Sequence, residues 1–203
     1  MKIGIDPIEI RRRNLIADDA YPCTSPSGLR FEQLSHHASL AKLVKMMDYD
    51  ALRAEQAALR ANNIHRGIGI ASFIEVTNPS AAFYGVGGAK ISSQDGVAVR
   101  LDAQGSVICQ SSITEQGQGS ESLTAQIVGS VLGVSMDRVR VILGDTDNTP
   151  YGGGTWASRG AGIGGEAALQ ATKVLRRNIL DVAAAILQST AGELDIVNDS
   201  VVN

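Results

Sequence analysis

The stretch best suited to ligand chemistry is "ITEQGQGSESLTAQIVGSVLGV", residues 113 to 134. It begins with the pattern of a strand, breaks at two glycines and continues as an amphipathic helix. Glycine lacks Cβ, so the backbone at such a break can approach a ligand closely. The start of a helix adds unpaired N–H groups and a partial positive charge, which suit an anion. The candidate binding residues for a phosphate or a polar heterocycle are Gln116, Gly117, Gln118 and Gly119, with an ordinary tight turn as the alternative.

A second junction has the same order of strand, glycine-rich loop and helix. Its candidate binding residues are Gly154, Thr155, Trp156, Ala157, Ser158 and Arg159, and "GIGGEA" opens the helix behind them. Two such helix starts side by side would cradle a large polar cofactor with phosphates, whereas plain chain connections are the competing interpretation. Arg159 adds a fixed charge suited to phosphate, and the sequence offers it no structural partner. We therefore expect Arg159→Ala to weaken ligand retention without unfolding the domain.

Other residues that could do chemistry have simpler interpretations. The loops match neither a Walker A pattern nor a Rossmann fingerprint. Asp145 and Asp147 lack the spacing of a calcium loop, so an aspartate-rich turn is the better interpretation. Glu75 is expected at the rim of the sheet or at a strand end, and Cys109 alternates inward in a strand as a small core residue. These patterns alone predict a cofactor-binding domain of unknown chemistry, with no catalytic residue and no metal ligand assigned.

Composition narrows the class of protein. A chain of 203 residues with 44% hydrophobic and 19% charged residues is typical of a soluble globular protein. The net charge of −3 and the 4% of aromatic residues argue against nucleic-acid binding. Cys23 and Cys109 have no CxxC partner, and no apolar run approaches the length of a membrane helix. We expect a cytoplasmic protein that binds neither nucleic acid nor a membrane.

Hydrophobic periodicity predicts the elements that position the two loops. Helices are predicted near 120–132 and 160–188. The apolar side of the second is predicted to carry Leu169, Val174, Leu175, Ile179, Val182 and Ile186. Strands are predicted at 67–76, 96–101, 106–113 and 138–143. A D-A-Q-G turn is predicted to join the second and third of them as a hairpin, and a C-terminal hairpin is predicted around Asn198-Asp199. Helices mixed with long hairpins favour an α+β fold with a mainly antiparallel sheet packed by helices. A change from a helical pattern to a β-rich composition near residue 64 separates an N-terminal helical arm, residues 1–63, from an α+β domain, residues 64–203.

Three stretches, in this order, carry a resemblance to a known family. "GIDPIEIRRRNLI" is similar to a G-x-D-P-x-E-x-R-x-x-N segment, and "TEQGQGSESLTAQIVGSVLGV" to a G-Q-G segment with its following helix. "GDTDNTPYGGGTWASRGAGIGGEA" is similar to a G-D-T-x-x-x-P-x-G-x-G-T-x-x-S-R loop. Over nearly its whole length, the chain thereby resembles the molybdenum-binding (large) subunit of the xanthine dehydrogenase, aldehyde oxidase and carbon monoxide dehydrogenase family.

The resemblance implies a molybdopterin cofactor, in bacterial members often the cytosine dinucleotide form. It implies an oxidoreductase that hydroxylates an aldehyde, an N-heterocycle or a similar substrate with oxygen from water. Electrons would leave through [2Fe-2S] clusters to FAD on partner subunits. The implied partners are the remaining domains of the molybdenum subunit, an iron–sulfur subunit and an FAD subunit, in a homo- or hetero-oligomer. By the same resemblance, residues 116–119 would contact the pterin and its phosphates, and residues 154–159 would line the other side.

The chain is several times shorter than the large subunits of that family. It ends before the family's G-x-G-E segment with the catalytic glutamate, and the family's pocket arginine loop would precede Met1. Glu166 resembles that glutamate only superficially, because its place directly behind the second loop makes it a helix residue. We therefore expect a fragment or split subunit that is inactive alone. The alternative is a non-catalytic dimerisation or scaffold domain whose glycine-rich loops are only turns.

Overall fold

The computed structural model describes residues 4–79 and 92–203. The contacts within the chain group it into two units, Met1–Ile74 and Glu75–Asn203. The predicted arm, residues 1–63, makes up most of the first unit, and residues 64–74 group with it. None of the helices in the described ranges is long and apolar enough to cross a membrane.

The first unit contains three helices, α1 (Pro7–Asn14), α2 (His36–Met46) and α3 (Tyr49–Arg60). A two-residue antiparallel pair, β1 (Cys23–Thr24) and β2 (Arg30–Phe31), lies in the connection between α1 and α2. Asp6 caps α1, because its Oδ1 accepts a hydrogen bond from the N–H of Ile8 at 2.8 Å. Ile8, Leu40 and Tyr49 form the buried core of this unit.

Residues 67–76 pair with no strand in the described part of the chain, so the strand predicted there is wrong. The carbonyls of this region bind side chains from the helices instead. Gln56 Nε2 donates to the carbonyl of Arg66 at 2.6 Å, and Arg11 donates to the carbonyl of Ile70. Ile68 and Ile70 also pack against the helical core. The segment therefore makes its hydrogen bonds and apolar contacts with helices rather than with neighbouring strands.

The second unit is built on a three-stranded sheet in the order β3 (Val97–Leu101), β4 (Val107–Ser111), β5 (Val139–Leu143). β3 and β4 form the predicted antiparallel hairpin, with Gly105 at a φ of +83° in its turn. β5 lies parallel to β4, because helix α4 (Ser120–Leu132) carries the chain back across the sheet. The three-stranded sheet is mixed, because it has one antiparallel pairing and one parallel pairing. The two-stranded sheets β1–β2 and β6–β7 are antiparallel, so three of the four strand pairings in the described residues are antiparallel. Helices and sheet combine as predicted.

The core of the second unit lies between the sheet and the helices. Val107 and Cys109 of β4 contact Val128 and Leu132 of α4, and all four are at most 1% exposed. Cys109 is confirmed as a small core residue, and burial raises the pKa of its thiol to about 11. A thiol in that state is a poor nucleophile.

Helix α5 (Gly165–Leu187) packs Leu175 and Ile179 of the predicted apolar side against the core of the sheet, but its C-terminal half buries other residues than predicted. Val182 and Ile186 are 60% and 75% exposed, whereas Leu180 and Ala184 are buried. The buried pair packs with a hairpin of β6 (Asp195–Val197) and β7 (Ser200–Val202). This hairpin turns at Asn198-Asp199, where both residues have a positive φ that suits a two-residue turn.

Candidate functional site

The two glycine-rich loops leave the same edge of the sheet. Loop 1, residues 113–119, follows β4, and loop 2, residues 144–159, follows β5. Because β4 and β5 are parallel neighbours, their carboxyl ends lie side by side. The crevice beyond the carboxyl ends of parallel strands is where such sheets commonly bind ligands. The topology therefore brings together two segments that are distant in sequence.

Thr155 joins the two loops. Its Oγ1 accepts a hydrogen bond from the N–H of Thr114 at 2.8 Å and donates to the Thr114 carbonyl at 2.9 Å. Gln116 Nε2 donates to the carbonyl of Thr155 at 3.2 Å. The two loops are therefore in contact, as the hypothesis of a shared cradle requires.

A carboxylate that the sequence interpretation missed organises loop 1. The two oxygens of Glu115 accept hydrogen bonds from four backbone N–H groups around the start of α4, those of Gln116 (3.2 Å), Gly117 (2.8 Å), Gly119 (3.0 Å) and Glu121 (3.1 Å). These bonds, the one from Glu121 first, lower the pKa of Glu115 to about 2. The loop 1 half of the predicted anion cradle is thus occupied by an anion of the chain itself. The readable signal was an acidic residue directly before a glycine bend and a helix start.

Gln118 is engaged within loop 1. Its Oε1 accepts from the N–H of Gln116 at 2.7 Å. Its Nε2 donates to the Thr114 carbonyl at 2.9 Å and to Ser120 Oγ at 2.7 Å. The Oε1 of Gln116, by contrast, accepts no hydrogen bond from the described residues, and Gln116 is exposed. Gln116 therefore offers a polar atom to a ligand, while Gln118 keeps the loop in shape.

Three glycines of the loops combine a positive φ with open surroundings. Gly117, Gly119 and Gly154 have φ values of +97°, +84° and +72°. A Cβ built on any of them would meet no described atom within 4 Å. Glycine is therefore required here for backbone conformation, and the open side lets a ligand reach the backbone.

Loop 2 is strained at its tip. Ala157 and Ser158 have φ values of +46° and +50°, a left-handed conformation that costs a residue other than glycine about 1–2 kcal/mol. Ser158 Oγ donates to Oε1 of Glu75 at 2.7 Å, and the Ser158 carbonyl accepts from the N–H of Asn78 at 3.3 Å. Trp156, directly before them, is half-buried. Strain of this kind persists only where surrounding contacts fix it, and it is frequent at ligand sites. Glu75 thus braces loop 2 rather than ending a strand.

Arg159 turns its guanidinium inward. Arg159 and Asp95 are both 0% exposed in their side chains, and Arg159 Nη2 lies 2.7 Å from Asp95 Oδ2. Arg159 Nη1 donates to the carbonyl of Ser92 at 2.7 Å. Asp95 Oδ1 also accepts from Ser112 Oγ at 2.8 Å and from the N–H of Gly153 at 3.1 Å. The expectation that Arg159 has no structural partner is wrong, because its partner lies 64 residues away in sequence.

Glycines behind loop 2 allow close packing. A π-helical turn, Gly160–Gly164, separates the loop from α5, so α5 itself begins one turn further on. A Cβ on Gly164 would lie 2.5 Å from Ile113 Cγ2, and one on Gly165 would lie 3.1 Å from Ile127 Cδ1. These two glycines therefore let α5 approach the end of β4 and helix α4.

The remaining chemical groups near the loops have structural partners. Asp145 accepts from the N–H groups of Asp147 and Asn148, which confirms the aspartate-rich turn. Glu166 is an exposed residue of α5 that accepts from Gln170 Nε2 at 2.6 Å. No group of three or more His, Cys, Asp or Glu residues in the described ranges could hold a metal ion. Loops 1 and 2 therefore present peptide groups, amides and hydroxyls, a donor and acceptor set suited to a polar heterocycle.

Comparison with known proteins places this geometry in a family. Residues 42–203 match the family model of the molybdopterin cofactor-binding domain. The chain is 34% identical to the nicotine 6-hydroxylase large subunit of Paenarthrobacter nicotinovorans over 97% of its own length. It is 33% identical to the carbon monoxide dehydrogenase large chain of Hydrogenophaga pseudoflava over 96% of its length. It covers 24% of each of these relatives, so the chain spans about a quarter of their length.

Solved structures agree with the sequence matches. Quinoline 2-oxidoreductase from Pseudomonas putida 86 superposes with a TM-score of 0.61 at 32% identity, over 98% of this chain and 25% of that one. The Cu,Mo-CO dehydrogenase superposes with a TM-score of 0.54 at 28% identity, over 96% and 25% of the two chains. The motifs, the joined loops and these matches lead to one conclusion. The chain belongs to the molybdopterin cofactor-binding domain family, and it corresponds to part of the molybdenum-binding large subunit of the xanthine dehydrogenase and carbon monoxide dehydrogenase group.

Proposed function

We propose that this chain supplies one wall of the cofactor site in a molybdenum hydroxylase, and that the cofactor is molybdopterin cytosine dinucleotide. The observation that carries the proposal is the reciprocal bonding of Thr155 with Thr114, which joins loops 1 and 2 at the ligand edge of the sheet. The groups on these loops fit a pterin, because a pterin ring presents both donors and acceptors to peptide and amide groups. Three open glycine positions leave room for that approach.

The residues divide into those that touch the cofactor and those that shape the loops. Gln116 has an open amide oxygen for the polar edge of the ring, and Gly117, Gly119 and Gly154 expose backbone to it. Gln118, Thr155, Ser158 and Arg159 hold the loops in position through their hydrogen bonds. Trp156 and Ala157 are proposed to line the cofactor. When bound, the molybdenum centre supplies the oxidation in which oxygen from water enters the substrate.

Loop 1 is proposed to bind and orient the cofactor, and it provides no general base. Glu115 is the one carboxylate within loop 1, and its oxygens are committed to four N–H groups. A carboxylate with a pKa of about 2 is also a weak base at neutral pH. The base and the substrate pocket are therefore proposed to lie in the remaining domains of the molybdenum subunit, as is the choice among aldehydes, N-heterocycles and similar substrates.

Partner subunits complete the proposal. Electrons are proposed to leave through [2Fe-2S] clusters to FAD on an iron–sulfur subunit and an FAD subunit. In support, the relatives bear names of subunits, such as a "large subunit" and a "subunit gamma" of a dehydrogenase complex. Cys23 and Cys109 are both free, as the reducing cytoplasm would leave them, so the assembly is proposed to work there.

Co-expression with the neighbouring reading frames tests this function. Metal analysis and release of the pterin should find molybdenum and a cytosine dinucleotide in the assembled enzyme. The purified 203-residue chain alone should oxidise neither aldehydes nor N-heterocycles, and turnover by it would contradict the proposal. A stable dimer without molybdenum would instead support the scaffold alternative, which the exposed Val182 and Ile186 of α5 favour.

A further inference from the structure

Loop 1 uses its own N–H groups. A glycine bend leading into a helix normally offers such groups to an external anion. Here the carboxylate of Glu115 takes the N–H groups of Gly117 and Gly119 in the bend, and that of Glu121 in the first turn of α4. A phosphate that approached loop 1 would find these donors already bonded to a negative charge.

Neither loop carries an exposed cation that offsets this charge. Residues 113–134 contain no lysine or arginine. Residues 144–165 contain only Arg159, whose guanidinium is buried against Asp95. The start of α4 carries a second acidic side chain, Glu121. Like charges repel, and they do so more strongly where a bound ligand excludes water.

We propose that Glu115 sets the ligand specificity of loop 1 by excluding anions, so that the loop takes an uncharged, hydrogen-bonding ring and not a phosphate. This inference rests on the proposed function and refines it: the pterin ring faces loop 1, and the phosphates of the cofactor bind elsewhere. It replaces the expectation that residues 116–119 contact both. Glu115 acts through the backbone of its neighbours and is a positioning residue.

Titration of the ¹⁵N-labelled 203-residue chain with inorganic phosphate at neutral pH tests the proposal, with backbone amide shifts as the readout. In Glu115→Gln the amide oxygen can keep the bonds made by Oε1, but the NH₂ group cannot accept from Glu121 N–H. That variant loses the charge and releases one donor. Glu115→Asp keeps the charge, and Glu121→Gln is the matched control, because it removes an equal charge next to the bend without touching these hydrogen bonds.

We expect saturable phosphate shifts at the amides of Gly119 and Glu121 in Glu115→Gln, with affinity at least about tenfold tighter than in the wild type. The wild type, Glu115→Asp and Glu121→Gln should show no saturable shift there. Equal binding by wild type and Glu115→Gln, or binding by neither, overturns the proposal. If Glu115→Gln does not fold, the wild type and Glu115→Asp, which both keep the carboxylate at position 115, decide the test. Saturable phosphate binding by either of them also overturns the proposal.

The phosphate titration and the test of the proposed function can fail independently of each other. Phosphate titration uses the chain without cofactor, whereas molybdenum retention is measured on the assembled enzyme. A wild-type chain that binds phosphate at loop 1 refutes the role of Glu115 and leaves molybdenum retention untouched. An assembled enzyme without molybdenum refutes the proposed function, whatever phosphate does.

Discussion

Replacing Arg159 with alanine should severely destabilise the second unit, and not merely loosen a ligand. Arg159 Nη2 lies 2.7 Å from Asp95 Oδ2, and both side chains are fully buried, so the change leaves a carboxylate in the interior without its cation. Removing one partner of a buried pair costs about 3–5 kcal/mol. Asp95 keeps its donors Ser112 Oγ and Gly153 N–H, which favours the lower end, about 3 kcal/mol. That is a large part of the roughly 5–15 kcal/mol that stabilises a domain.

Urea unfolding of four chains measures this effect: the wild type, Arg159→Ala, Asp95→Ala and the double variant. The double variant should lose less than the sum of the single variants, because it leaves neither charge buried alone. Arg176→Ala is the control, since Arg176 pairs with Asp195 at the surface, where such pairs contribute at most about 1 kcal/mol. A loss below about 1 kcal/mol for Arg159→Ala, or additive single losses, would refute the reasoning.

Three further outcomes are expected. Gly117→Val should abolish molybdenum retention by the assembled enzyme. Gly105→Val is the control, because Gly105 has a similar positive φ and equally open surroundings, so it should cost comparable stability and retain the metal. Similar retention by both variants would contradict the role of loop 1. Because the pKa of Glu115 is depressed from 4.5 to about 2, its contribution to stability is complete above pH 4.5 and is lost as the pH falls towards 2. Amide shifts in the first turn of α4 should follow that window, and shifts that stay constant across it would count against the four hydrogen bonds. Gly164→Val should lower the free energy of unfolding by about 1–3 kcal/mol, because its Cβ would lie 2.5 Å from Ile113 Cγ2, and an unchanged urea midpoint would argue against this close packing.

Features that depend on neighbouring residues could be predicted from the sequence. Helix α4 lies where the apolar periodicity placed it, because glycines in the left-handed conformation, Gly119 and Gly133, delimit it at both ends. The turn at Gly105 and the one at Asn198-Asp199 follow equally local rules, since each needs a positive φ within a short connection.

Features that depend on residues distant in the sequence could not be predicted from it. Asp95 precedes Arg159 by 64 residues and Glu75 precedes Ser158 by 83, and no local pattern marks either pair. The parallel pairing of β4 with β5 was missed because strand composition does not encode direction. Glu115 is a different case, since the backbone N–H groups that donate to it lie within six residues. An acidic residue directly before a glycine bend and a helix start predicts this role, but the sequence interpretation considered only the glycines and glutamines of the loop.

The bond from Thr114 N–H to Thr155 makes one backbone amide a reporter of the two loops. Its acceptor is a side chain 41 residues away, so this amide can exchange its proton for deuterium only when the loops part. An amide such as that of Cys109, in the centre of the sheet, exchanges only when the strands themselves separate. The ratio of the two exchange rates therefore measures how much more often the loops open than the sheet does. A cofactor that bridges the loops should slow exchange at Thr114 well before it slows exchange in the core.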